Sequence, residues 1–186
     1  MSQNYVIWVV AGPAGTGKTT VAEFLSQDLE APYVEGDSLH TPENVHKMSI
    51  GIALTDEDRG PWLRKIVSET VQAIKAQNTP RYGIVTCSAL KKKYRDIIRE
   101  SARDLRERHG WSVSVRFLFM SIDEEVLLQR VRGRKNHYMK EDMVASQLRI
   151  QELPTVSEID SVFLNVTGKS PEEVNKLAKE AVISLQ

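Results

Sequence analysis

Residues 5–11 form an almost unbroken apolar run. A strand that is apolar at successive positions, not alternate ones, is covered on both faces, so this run predicts a central parallel strand. Behind it, Val21, Ala22, Leu25 and Leu29 recur at helical spacing, and Ala31-Pro32 stops that helix before a second short strand ending near Glu35. Thr41-Pro42-Glu43 pairs an N-cap residue with proline at the first helical position, which predicts a short helix running towards Gly51. Thr55-Asp56-Glu57-Asp58 is another start, rich in the acids that a helix N-terminus favours. Leu63, Ile66, Val67, Thr70, Val71 and Ile74 carry that helix towards Asn78, with a kink or restart expected at Pro61.

The Thr79-Pro80 break precedes a third strand over 82–87, and Tyr94, Ile97, Ile98, Ala102 and Leu105 mark one face of a charged helix that Gly110 ends. Residues 113–120 read as the fourth strand, followed by a helix containing Val126, Leu127 and Val131. The fifth strand spans 162–166, and Ser170-Pro171-Glu172-Glu173 opens a last helix with the pattern of a capping box. Five strands alternating with helices give an α/β fold with a five-stranded parallel sheet and right-handed crossovers. There is no internal repeat, low-complexity segment or interdomain linker, and 186 residues suit one domain, 1–186.

Charge and composition narrow the function. Lys+Arg and Asp+Glu both number 25, so no global field recruits nucleic acid or an anionic membrane, and any cationic site is local. Cys87 is the only cysteine, which excludes a disulfide framework or a cysteine-rich metal site and suits a reducing compartment. Met1-Ser2-Gln3-Asn4 lacks a basic leader and no apolar run approaches membrane-spanning length. The expectation is a soluble cytoplasmic protein with neither nucleic-acid nor membrane partners.

Between the first strand and the first helix lies Gly12-Pro13-Ala14-Gly15-Thr16-Gly17-Lys18-Thr19-Thr20, which contains the Gly-x-x-x-x-Gly-Lys-Ser/Thr phosphate loop in its required strand–loop–helix context. Gly12, Gly15 and Gly17 let the backbone curl so that its N–H groups, including those near Thr16 and Thr20, point at phosphate oxygens, and the helix adds the positive end of its dipole. Lys18 reaches the β- and γ-phosphates, and the Thr19 hydroxyl is a ligand for Mg²⁺. The chain therefore reads as a P-loop NTPase using ATP and Mg²⁺.

Further candidates sit where strands end, the place where open α/β sheets hold ligands. Glu35-Gly36-Asp37 closes strand two with two carboxylates, one suited to a metal's water shell and one to an acceptor hydroxyl; the plainer reading is an acidic turn. Cys87-Ser88-Ala89-Leu90-Lys91-Lys92-Lys93-Tyr94-Arg95 closes strand three, and its cations read either as a solvated helix face or as an anion site. Cys87 has no paired base nearby and reads as a small core residue. Arg130-Val131-Arg132-Gly133-Arg134-Lys135-Asn136-His137 has too many cations for an ordinary helix exterior and suits a lid segment over about 130–142, with Arg130 and Arg134 on one helical face towards the phosphates. No second ligand accompanies His137 at metal spacing. Trp8, Trp62 and Trp111 read as packing residues. The adenine is expected between the lid base and the loop near Thr167-Gly168-Lys169.

Asp37-Ser38-Leu39-His40, Asp58-Arg59 with Pro61-Trp62-Leu63, the Cys87-Ser88-Ala89-Leu90-Lys91-Lys92 block with Tyr94-Arg95-Asp96, and residues 147–154 resemble the successive motifs of the gluconokinase family, in order along nearly the whole chain. The Cys-Ser-Ala-Leu-Lys block is the most specific of these. The resemblance implies a nucleoside-monophosphate-kinase-like three-layer sandwich that phosphorylates D-gluconate at its 6-hydroxyl, giving 6-phosphogluconate for the pentose phosphate pathway, and it implies a homodimer. It places the hydroxyl-orienting base at Asp37 and the metal-shell carboxylate at Glu35, beside Thr19. Lys18, Arg130 and Arg134 become the phosphoryl-stabilising cations. Arg59, Lys91, Arg95 and His40 become acceptor contacts in falling order, with His137 of the lid beside them. Two departures stand out: Glu35 where the family usually has aspartate, and Asn136-His137-Tyr138 where Gly-His-Phe is usual, which implies a stiffer lid. A shikimate-type kinase shares the acid-x-Asp strand end but is not expected to carry Cys-Ser-Ala-Leu-Lys or Leu39-His40. A nucleotide-binding module without transfer would need neither Asp37 nor the cations Arg59 and Lys91.

Overall fold

The computed structural model describes residues 4–77, 81–132 and 141–185. In chain order the elements are β1 (Asn4–Ala11), α1 (Lys18–Asp28), β2 (Tyr33–Val34), a 3₁₀ turn (Gly36–Leu39), α2 (Pro42–Ser49), α3 (Asp56–Ala76), β3 (Tyr82–Cys87), α4 (Lys92–His109), β4 (Ser112–Ser121), α5 (Glu124–Arg132), α6 (Glu141–Ile150), β5 (Ser161–Asn165) and α7 (Pro171–Ser184). All strand pairs are parallel, in the order β2-β3-β1-β4-β5. The apolar run thus occupies the central strand, and its burial is nearly complete from Val6 onward.

Because side chains alternate across a strand, β1 feeds two cores. Ile7, Val9 and Ala11 pack with Leu63, Ile66 and Val67 of α3 and Ile98 of α4 on one face. Val6, Trp8 and Val10 pack with Val21 and Leu25 of α1, Leu127 of α5 and Val174 and Ala178 of α7 on the other. The result is the expected three-layer arrangement.

Local chemistry sets the element ends. Thr41 caps α2 by accepting from the Asn44 N–H at 3.2 Å, with Pro42 in the first turn. Capping boxes formed by Thr55 with Asp58 and by Ser170 with Glu173 start α3 and α7. Gly110 ends α4 at a φ of 67°.

The helix does not restart at Pro61, and α3 runs through it. Proline there forfeits one backbone bond, and the burial of Trp62, Leu63, Ile66, Val67, Val71 and Ile74 against the sheet outweighs that loss. The 3₁₀ turn and α6 were not expected from periodicity. Residues 133–140 of the anticipated lid, with Arg134 and His137, lie outside the described residues. No helix among the described residues is long and apolar enough to cross a membrane.

Candidate active site

Three strand ends converge on one cavity of about 590 Å³. From β1 comes the phosphate loop, whose Ala14, Gly15, Gly17, Lys18, Thr19 and Thr20 line it; from β2 come Glu35, Asp37 and His40; from β3 come Cys87, Ser88 and Lys91. The start of α3 adds Asp56, Arg59 and Trp62, and α6 adds Val144, Gln147 and Ile150. A second cavity of about 210 Å³ shares Gly15, Gly17 and Thr20 with the first and adds Thr16, Arg130, Val166, Lys169, Pro171 and Asn175. The phosphate loop therefore forms the wall common to both spaces.

Close backbone approach explains two glycines. A Cβ on Gly12, whose φ is 131°, would lie 2.3 Å from the Met120 carbonyl oxygen, and one on Gly36 would lie 1.9 Å from that of Thr86. Gly12 lines neither cavity, and its N–H is already committed to the Ser88 carbonyl at 3.1 Å. Gly36 lets the end of β2 lie against β3, which sets both Glu35 and Asp37 over the cavity.

Lys18 Nζ donates to the Pro13 carbonyl at 2.9 Å, and the Thr16 hydroxyl donates to the same oxygen at 2.9 Å. Burial lowers the Lys18 pKa, while Asp37, Cys87 and Glu35 pull it back up. The Asp37 carboxyl is raised, first by its withdrawal from bulk water between the cavity walls and then by Glu35, with Lys18 opposing. Glu35 is held by three hydroxyls: Thr19 at 3.4 Å, Tyr33, and Thr86. The thiol of Cys87 is buried and pushed up to about 12, which removes it as a nucleophile, as expected.

Positioning of the 3₁₀ turn depends on Trp62, whose indole N–H donates to the Gly36 carbonyl at 2.7 Å and whose ring stacks on His40 with centroids 4.0 Å apart. Burial and the neighbouring Arg59 lower the His40 pKa to about 4, so the imidazole is neutral near pH 7. Its buried Nδ1 has no hydrogen-bond partner among the described residues. The cationic end gathers around Tyr94: the Arg59 guanidinium lies 5.5 Å from the ring centroid and Lys91 Nζ 5.4 Å. Asp56 sits among them, taking Lys93, the Tyr94 hydroxyl and, at 3.4 Å, Lys91, and these hold its carboxyl well below the usual range.

Arg95, expected among the acceptor contacts, lines neither cavity: it is fully buried, paired through two N–H groups with Glu158 at 2.7 Å and bonded to the Ala89 and Glu152 carbonyls. Its donors are committed to Glu158 and to the loop that carries Lys91, which it braces.

A family model described as "Shikimate kinase" matches residues 14–183. The "Probable gluconokinase" of Schizosaccharomyces pombe is 43% identical over 90% of this chain and 83% of its own, and that of Saccharomyces cerevisiae is 42% identical over 98% and 95%. The chain belongs to the gluconokinases, within the shikimate kinase family. A solved gluconokinase structure from Sinorhizobium meliloti aligns with a TM-score of 0.76 at 34% identity, covering 100% of this chain and 95% of that one.

Of the residues expected to serve a gluconokinase site, Lys18, Thr19, Glu35, Asp37, His40, Arg59 and Lys91 line the larger cavity, and Thr16 and Arg130 the smaller. Sequence reading assigned none of Asp56, Trp62, Thr86 and Gln147 to the site, although Trp62 and Gln147 fall within the family-like motifs. Asp56 was legible only as a helix-start acid, and Thr86 only as a strand residue. Nothing local in the sequence shows that either faces the site.

Proposed function

We propose that this protein transfers the γ-phosphoryl group of ATP to the 6-hydroxyl of D-gluconate, releasing ADP and 6-phosphogluconate. The observation that carries this reading is a single cavity joining phosphate-loop Lys18 to Asp37 and then to the Arg59–Lys91 cation pair, in a chain of the gluconokinase family. In this reading the triphosphate lies along the loop and the adenine occupies the smaller cavity, between Arg130 and the Lys169–Pro171 side. The sugar acid fills the larger cavity with its carboxylate at Arg59 and Lys91, where charge-assisted bonds are strongest. Neutral His40 contacts the acceptor chain between those cations and Asp37.

Asp37 accepts the proton of the 6-hydroxyl as its oxygen bonds to the γ-phosphorus and the bond to the β–γ bridging oxygen breaks. Lys18 leaves the Pro13 carbonyl for the phosphate oxygens and neutralises the charge that spreads there. The hydroxyl of Thr19 and the carboxylates of Glu35 and Asp37 are hard oxygen donors of the kind Mg²⁺ takes, directly or through water. Glu35 with Thr19 would hold Mg²⁺, which when bound would help neutralise charge on the phosphate chain. Assembly as a homodimer belongs to the same reading and is checked by light scattering.

A coupled ADP-release assay across gluconate, other sugar acids, shikimate and no acceptor tests this. Turnover with gluconate well above the others is expected. Preferential turnover of shikimate, or equal ADP release without any acceptor, would overturn it.

A further inference from the structure

Helix α6 presents Met143, Val144, Ser146, Gln147 and Ile150 to the larger cavity. Val144 is fully buried in the second core, which fixes the helix axially. Just past its C-terminal end, Glu152 is tied three ways: its N–H donates to the Leu90 carbonyl at 2.8 Å, its carboxylate accepts from the Lys92 N–H at 2.7 Å, and its carbonyl accepts from Arg95 at 2.9 Å. A side chain on such a braced helix is held in place before any ligand arrives.

Gln147 uses that support to reach the phosphate loop. Its Oε1 accepts the backbone N–H of Ala14 at 2.8 Å, across 133 positions of sequence. A backbone N–H can only donate, so the amide oxygen must be the atom facing it, and the orientation of the planar amide follows. The oxygen is thereby committed to the loop. What remains on the same rigid group is an NH₂ with two donors, in a cavity that also holds Lys18, Thr19 and Asp37.

Building on the kinase reading above, we propose that Gln147 is a catalytic residue: its amide NH₂ donates to an equatorial oxygen of the transferred phosphoryl group, with the phosphate loop itself orienting the donor. A loose phosphoryl-transfer transition state spreads negative charge over those oxygens and is served by preorganised donors more than by any covalent step. Lys18 supplies a mobile charge from one side. Gln147 supplies a neutral donor whose direction is set by Ala14, at the boundary between loop and acceptor space. A mere tie between helix and loop would need only the oxygen.

That difference makes the role testable with two variants and two nucleotides. Gln147→Glu keeps the length and the acceptor for Ala14 but removes both donors, whereas Gln147→Leu removes acceptor and donors together. Calorimetric affinities for ADP and for a non-hydrolysable ATP analogue are measured for each, alongside kcat with gluconate. Gln147→Leu should bind ADP, which lacks the γ-phosphate, within about threefold of the parent, and both variants should lose at least tenfold for the analogue. Their kcat should fall about 100-fold, the scale of one lost oxyanion donor, with a Tm close to the parent's for Gln147→Glu.

Proportional loss of ADP and analogue affinity in Gln147→Leu, or a kcat within threefold of the parent in Gln147→Glu, would reduce Gln147 to a structural tie. The nucleotide arm does not depend on the acceptor. Failure of gluconate as a substrate would therefore leave it readable, and a parent protein that bound neither nucleotide would sink both readings.

Discussion

Two carboxylates one glycine apart have been given different work by their neighbours. Glu35 is gripped by the hydroxyls of Thr19, Tyr33 and Thr86, whereas Asp37 stands open to the cavity with Lys18 as its main counter-charge. Asp37→Asn keeps shape but cannot take a proton, and should lower kcat by about 10²-fold or more. Because the Asp37 carboxyl is raised in the ligand-free protein, the acid limb of the kcat/KM–pH profile should lie above the ordinary aspartate value: activity appears as pH rises through the raised pKa and is lost below it. That limb should vanish in Asp37→Asn. Glu35→Gln should instead raise the Mg²⁺ concentration needed for half-maximal rate and be partly rescued by excess metal; a Mg²⁺ titration of both variants at saturating ATP and gluconate checks the division. Rescue of Asp37→Asn by metal would reverse it. His40 adds a pH effect on stability. The unfolded chain's imidazole takes up its proton near pH 6.5, the folded one only near pH 4, so between these values the unfolded state binds more protons. Stability contributed by neutral, stacked His40 is present above pH 6.5 and falls away as pH drops through that window. Thermal melts at pH 7 and pH 4.5 should show a larger drop for the parent than for His40→Gln; identical drops would mean that His40 does not carry it.

At the scale of elements, the site is carried by strand ends and braced from behind. Arg95, on α4, fixes the β3–α4 loop through the Ala89 and Glu152 carbonyls and pairs with Glu158, whose side chain is only 3% exposed. Arg99 adds a second guanidinium to Glu158 at 2.8 Å, and together they hold that carboxyl down at about 2. Removing Arg95 leaves Glu158 with Arg99 alone and its other oxygen short of a guanidinium, at a cost approaching the about 3–5 kcal/mol of a fully broken buried pair. Arg95→Leu should therefore lose stability of that order in denaturant titrations, and adding Glu158→Leu should recover part of it. If Arg95→Leu were as stable as the parent and weakened gluconate alone, Arg95 would be an acceptor contact after all. Asp56 shows the converse economy of elements: it serves as an acid in the first turn of α3 and as the partner that sets Lys91, Lys93 and Tyr94 around the cationic end.

Across the whole molecule, the fold and the chemistry are separable. Two cores, one on each sheet face, hold the three layers together, and the phosphate loop lies at the C-terminal end of the central strand, between the two cavities. Lys18 contributes to neither core. Lys18→Ala should accordingly abolish detectable phosphoryl transfer while shifting Tm by no more than a few degrees, measured on the same preparation. A collapse of Tm would mean that the loop holds the fold, and near-normal turnover would remove Lys18 from the mechanism. With a formal net charge of zero, the molecule has no global attraction for an anion, so under the proposed function capture of a sugar acid would rest on Arg59 and Lys91, which line the larger cavity.

The features legible in the chain itself were those written at short range. The run at 5–11, the capping residues Thr41, Thr55 and Ser170, and Gly110 each act within one element, so periodicity and capping chemistry reveal the five parallel strands and most helices. The phosphate loop belongs with them, because its curvature and its donors come from eight consecutive residues. What faces what was decided only when the sheet formed. The ion pair of Arg95 with Glu158 spans 63 positions, Gln147 meets Ala14 across 133, and Glu35 meets Thr86 across 51. Arg95 and Lys91 look alike in sequence, four residues apart on one basic run, yet tertiary packing buries the first in a salt bridge and leaves the second lining the cavity. Burial of a charge is permitted only where a distant partner arrives to neutralise it, and no local pattern records that arrival.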